Sequence, residues 1–134
     1  MYSSFAEDIK KRTKAVAVSV IVELNSVKYT SVSSVLVKQL TRSVTSIGAN
    51  YRSSLKARSK ADFISKLSIS IEEADECLYW IELIVESGLI EKSKIDKAYN
   101  EIKEILLMLS KTKSTIIANI KNPTELHEPI EEYN

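Results

Sequence analysis

Glycine and proline are nearly missing from this 134-residue chain, with two of each. Sandwiches and barrels turn often, and their turns draw on those residues, so an all-β fold gives way to a few long elements. Cysteine occurs once, as Cys77. No disulfide can close within the chain, which suits a reducing cytoplasm, and a lone cysteine reads most simply as a small apolar residue on a helix. Histidine also occurs once, as His127. A zinc site needs several His or Cys ligands at fixed spacing, and a catalytic triad needs a placed nucleophile and base. Gly48 and Gly88 stand alone, so there is no glycine-rich loop to cradle a phosphate. There is no Glu-x-x-His motif of the kind a di-metal bundle uses. The expectation is therefore a non-enzymatic protein with no catalytic residue, no metal, no cofactor and no small-molecule substrate. Long apolar runs are lacking too. Ala15–Val18 and Val20–Val22 fall far short of the roughly 20 residues a membrane span needs, and no basic leader with an apolar stretch is present. A cytoplasmic protein with no membrane partner is expected.

What is present is helical spacing. With 44% apolar residues the chain can fill a core. Phe5, Ile9, Val16, Val20 and Leu24 recur near every 3.6 residues and predict a first helix over about 5–27. Within it, Ala15 to Val20 alternates and is rich in β-branched residues, so alone it could be a strand, but no other segment offers it a strand partner. The second helix, about 31–58, carries Val32, Leu36, Leu40, Ile47, Tyr51 and Leu55, with Ser43 and Asn50 in the same seam. Ser59 with Asp62 makes a box-like start for a third helix over about 60–87, whose core line is Phe63, Leu67, Ile71, Ala74, Leu78, Ile81 and Val85. Gly88 stops it. The fourth helix, about 93–121, uses Ile95, Tyr99, Ile102, Leu106, Leu109, Ile116 and Ile120 and stops before Pro123. Short connections force long helices to alternate in direction. The fold class predicted is all-α, an antiparallel up-down-up-down four-helix bundle over residues 1–122. Residues 123–134 are read as an acidic, flexible tail.

The net charge of +1 hides an asymmetry. Residues 1–61 carry eleven Lys or Arg against Glu7, Asp8 and Glu23, a formal +8; residues 62–134 carry eight against fifteen acidic residues, −7. Such a split points to a polyanion partner, or to one half of a molecule meeting the other half of its neighbour.

Three features follow from that pattern. At about 100° per residue, Lys38, Arg42, Arg52 and Lys56 fall within one arc of the second helix, and Lys10, Lys11, Arg12 and Lys14 add to it from the first. Unopposed positive charge along a helix is what phosphate backbones bind. We take Lys10, Lys14, Lys38, Arg42, Arg52 and Lys56 as candidate nucleic-acid contacts, against the plainer alternative of a solvated face. On the third helix, Ile69, Trp80 and Leu83 lie nearly opposite the core line, beside Glu73 and Glu76. These five are candidate oligomer-interface residues, because an outward Trp among aliphatics is costly in water. The alternative is that Trp80 covers the edge of its own core. Glu72, Asp75, Glu82 and Glu86, sharing a face with Tyr79, read as solvated carboxylates. Ser43 and Asn50 read structurally, either fixing helix register or allowing close approach.

The run Gln39-Leu40-Thr41-Arg42-Ser43-Val44-Thr45-Ser46-Ile47-Gly48-Ala49-Asn50-Tyr51 completes a further pattern. With it go Ser59 to Leu67, Glu73 to Ile81, and Asp8-Ile9 with Arg12-Thr13. Together these resemble the four-helix-bundle proteins encoded in intervening sequences of bacterial 23S ribosomal RNA genes, a family similar to the accessory variability determinant of diversity-generating retroelements. The resemblance spans roughly residues 5–109. It implies a homo-oligomer, specifically a homopentameric ring, with a positive surface that engages RNA or DNA and with no enzymatic activity. Near Ser53 and Ser54 the family usually carries an acidic residue; its loss makes the second helix more basic.

Overall fold

The computed structural model describes residues 3–121. Four helices fill almost all of that span: α1 Ser4–Leu24, α2 Ser31–Ser54, α3 Lys60–Glu86 and α4 Lys92–Lys121. At about 1.5 Å per residue they are roughly 30 to 45 Å long. The alternating stretch Ala15–Val20 is helical, and no strand occurs among the described residues. The predicted stop at Pro123, His127 and the tail 123–134 lie outside the described residues.

The starts of α1, α2 and α3 are each capped by a hydroxyl. Ser3 Oγ accepts from Ala6 N at 3.1 Å, Thr30 Oγ1 from Ser33 N at 2.9 Å, and Ser59 Oγ from Asp62 N at 3.1 Å. These satisfy amides that no helical carbonyl can reach. At Thr30 the pairing is reciprocal, because Ser33 Oγ accepts from Thr30 N at 2.8 Å.

Two helices end earlier than their apolar spacing predicts. α2 was expected to reach Arg58 but closes at Ser54. There Ser54 Oγ donates to Tyr51 O, and the amides of Lys56 and Ala57 bond three residues back, to Ser53 and Ser54. That tighter winding takes the chain out of the α-helix. α1 closes at Leu24 rather than Val27 by the same device, with Ser26 Oγ on Glu23 O and Val27 N on Leu24 O. Gly88, at φ 81, leaves α3 through the left-handed region.

Helix direction follows from cross-helix contacts. Ser70 of α3 bonds Ile47 O of α2, while Arg42, earlier in α2, reaches Glu73 and Glu76, later in α3. The two helices therefore run antiparallel. Tyr99 to Glu82 ties α4 to α3 around the turn at residues 87–91, and Arg12 to Glu101 ties α1 to α4. α2 packs on α3 most extensively. The predicted positions Ile9, Val20, Leu40, Ile47, Leu67, Ile81, Ile95, Ile102 and Leu109 are nearly or fully buried, each worth about 1.5–3 kcal/mol of apolar transfer. Two positions on the predicted lines are exposed instead, Val32 and, near the end of α4, Ile120 at 40%. Val32, in the first turn of α2, is 70% exposed, while Ile84 and Ile105, off the predicted lines, are buried.

Candidate nucleic-acid interface

α2 carries no acidic residue along its length. Its buried line faces α1 and α3, which leaves Lys38 and Arg52 on the opposite, solvent side, both exposed. Lys11 and Lys14 are likewise exposed on α1. Lys38, Arg52, Lys14 and Lys11 take part in no ion pair among the described residues. Lys10 is half-buried and meets Glu7 at 3.5 Å.

The stripe drawn from spacing loses two members. Lys56 is exposed but lies past the end of α2, so helical phase no longer aligns it with Lys38. Arg42 is consumed inside the chain. Its guanidinium donates to Glu73 Oε2 at 2.7 Å and to Glu76 Oε1 at 3.2 Å, bridging α2 to α3. The Glu73 hydrogen bond holds the Arg42 guanidinium above its ordinary range. Glu76 is pulled above the usual carboxylate range, first by a hydrogen bond shared with Glu73 and then by desolvation, with Arg42 opposing.

This also corrects the candidate interface on α3. Glu73 is buried beneath Arg42 rather than outward. Trp80 packs on the edge of the core, and its Nε1 is buried with no acceptor among the described residues. Leu83 is half-buried; Ile69 and Glu76 remain exposed. Spacing could not separate these cases, because the deciding partners come from another helix. Exposed apolar residues were missed elsewhere: Val18 and Val22 on α1, Val35 on α2, and Leu107 on α4, the last 70% exposed. The uncharged run Ala15–Val22 was a signal for the first two, since an all-round apolar helix segment exceeds what one core covers.

Arg12 forms a second internal clasp. It donates to Glu101 at 2.9 and 2.6 Å, lies 3.3 Å from Glu104, and contacts Met108 Sδ. The bond from Arg12 holds Glu101 below the usual carboxylate range, and the bond to Glu101 holds Arg12 above its own. Asn50 is half-buried and donates to Ser46 O. Gly48 lets α1 and α2 approach closely, since a Cβ there would lie 2.9 Å from Thr13 Oγ1.

Where the end of α3 meets the start of α4, carboxylates gather around a cleft. This cleft, of about 420 Å³, has Ile81, Val85 and Ile95 among its lining and Glu82, Glu86 and Asp96 around them. Tyr99 Oη donates to Glu82 at 2.6 Å, and that bond, with desolvation and the nearby carboxylates, pushes the phenol up to about 12. Cys77 is buried on α3, and desolvation pushes its thiol up to about 12, which leaves little reactive thiolate. Among the described residues no cluster of three or more His, Cys, Asp or Glu could hold a metal ion, and no helix is long and apolar enough to cross a membrane.

Residues 7–111, from the first turns of α1 into the second half of α4, match the 23S rRNA-intervening sequence proteins. The chain belongs to that family. A crystal structure of a protein of unknown function from the S23 ribosomal protein family, from Bacteroides thetaiotaomicron, superposes with a TM-score of 0.73. It is 32% identical, over 81% of this chain and 97% of that one. None of the curated proteins matches the chain. Every candidate contact on α1 and α2 falls inside the family's matched stretch, and the acidic residues 122–134 fall outside it.

Proposed function

We propose that this chain is a non-enzymatic, oligomeric bundle protein of the cytoplasm that binds structured RNA through the outward cations of α1 and α2. One observation carries the reading. On a helix without a single carboxylate, Lys38 and Arg52 face solvent unpaired among the described residues, whereas Arg12 and Arg42 are neutralised internally. Four or so such cations per subunit, with Lys11 and Lys14, suit a phosphate backbone and carry no base-reading geometry, so recognition is by shape and charge. A homopentameric ring, as the family resemblance implies, would multiply these contacts. The test is charge reversal. Lys38→Glu with Arg52→Glu is expected to abolish binding to a structured RNA at low salt while helical content is unchanged. Lys92→Glu with Lys94→Glu, on the acidic half, is expected to leave binding intact. Unchanged binding in the first variant would overturn the reading.

A second reading has its own support in the exposed Val18, Val22, Val35, Ile69 and Leu107. These suit a protein–protein scaffold with no nucleic-acid role, in which the cations serve solubility. An assembled protein that binds no RNA at low salt would favour it.

A further inference from the structure

We propose that Arg42 is a further phosphate contact on the outward face of α2, held silent by Glu73 and Glu76 and brought into use when that carboxylate pair takes up a proton. This use of Arg42 rests on the RNA-binding reading above.

The first ground is position. Lys38, Arg42, Thr45, Ala49 and Arg52 recur at helical spacing along α2, and all five are exposed. Arg42 sits about 6 Å along the axis from Lys38 and about 15 Å from Arg52. A backbone that lies on the two free cations passes over it.

Geometry is the second. Although it bridges two helices, the Arg42 side chain stays 48% exposed. It donates to Glu73 at 2.7 Å, to Glu76 at 3.2 Å and, through Nε, to Gln39 Oε1 at 3.4 Å. A guanidinium carries more N–H groups than these three acceptors take, so donors remain for a phosphate oxygen.

Charge is the third. One guanidinium faces two carboxylates, so the cluster carries surplus negative charge and repels a phosphate. Glu73 is buried, whereas the Glu76 side chain is 50% exposed and can exchange a proton with water. The bond shared with Glu73, then desolvation, holds the Glu76 carboxyl above its usual range; Glu72 adds to the effect and Arg42 opposes it. Of these charged neighbours Arg42 comes from α2, and Glu72 and Glu73 from α3 itself. Once Glu76 holds a proton, Glu73 alone balances Arg42. The surplus negative charge is gone, and the N–H that faced Glu76 can turn to a phosphate. Because the protonated form binds better, affinity rises as pH falls through the raised Glu76 value.

The test is the salt dependence of binding to an RNA duplex by the full chain, at about pH 7.5 and about pH 5.5. Every protein carries His127→Gln, so that no imidazole titrates in that window. In this parent, the slope of log affinity against log salt should steepen by about one from neutral to acid. With Glu76→Gln added, the steeper slope should appear at both pH values. Arg42→Gln with Glu73→Gln and Glu76→Gln leaves the cluster as neutral as Glu76→Gln alone but without the guanidinium, and its slope should be shallower than that of Glu76→Gln by about one. Glu91→Gln, in the turn between α3 and α4, should behave as the parent. The proposal is overturned, with the RNA-binding reading left standing, if the parent slope ignores pH. A Glu76→Gln protein that keeps the parent's pH dependence would overturn it too, as would equal slopes for the two neutral clusters. No RNA binding at either pH would defeat both the proposal and that reading.

Discussion

Adding a methyl group at Gly48 would place a carbon 2.9 Å from Thr13 Oγ1 and 3.2 Å from Thr13 Cβ, a side chain already buried and bonded to Ile9 O. Overpacking of that kind costs about 1–3 kcal/mol and outweighs the roughly 1 kcal/mol that alanine gains in a helix. Gly48→Ala should therefore lower stability to urea, and the loss should shrink in a Thr13→Ala background. Gly88 has open space around it and φ 81, so Gly88→Ala should cost about 1–2 kcal/mol through the backbone alone, with no rescue from Thr13→Ala. Glu101 supplies a pH test. Its folded value is depressed by Arg12, so its stabilisation is present above the ordinary carboxylate range and disappears as pH falls through the depressed value. Glu101→Gln should be less stable than the parent at pH 7, by about 1 kcal/mol for this partly exposed pair, and the two melting curves should converge in acid. At this scale the sequence was least legible. The outward phase of Arg42 on α2 was readable, but its use was not, because Glu73 and Glu76 come from α3 and the rotation between two helices is written in no local spacing.

Among the elements, legibility was high for the middles and poor for the ends. The 3.6-residue recurrence in α1 to α4 reflects burial against neighbours, so a one-dimensional pattern reports it faithfully. The ends of α1 and α2 depend instead on single hydroxyls, Ser26 Oγ and Ser54 Oγ, that take carbonyls and tighten the last turn. Apolar positions such as Leu55 stay buried past the helix end, which is why the stripe seemed to continue and drew Lys56 into it. Helix starts were more readable at Ser59, where the hydroxyl precedes an acidic third residue, than at Thr30, where the third residue is Ser33. Thr30→Ala removes one half of a reciprocal cap and should cost about 1 kcal/mol. Combined with Ser33→Ala, the loss should fall short of the sum of the single changes, because both remove the same box. Chemical denaturation of the three variants measures this.

For the whole molecule, the division between a basic first half and an acidic second half was visible in the sequence, and among the described residues the fold separates it only in part, since α4 itself carries seven lysines against Asp96, Glu101 and Glu104. α1 and α2 present Lys11, Lys14, Lys38 and Arg52, while α3 and α4 present the carboxylates around Tyr99. A basic α1–α2 face and an acidic α3–α4 cleft on one chain also suit a head-to-tail assembly. Sedimentation at micromolar concentration should show a multiple of the 15.1 kDa chain, and a species of 15.1 kDa alone would exclude the oligomer. Ile69→Lys should dissociate such an assembly if the α3 face carries the contact. The claim that matters most is that the free cations of α1 and α2 hold a phosphate backbone. Its most direct test is the salt dependence of binding to a structured RNA. With about four phosphate contacts per subunit, log affinity should fall against log salt with a slope of roughly −3 to −4, and the milder Lys38→Gln with Arg52→Gln, which removes two contacts without reversing charge, should flatten it by about two. A slope near zero, or one that the double variant leaves unchanged, would contradict the account.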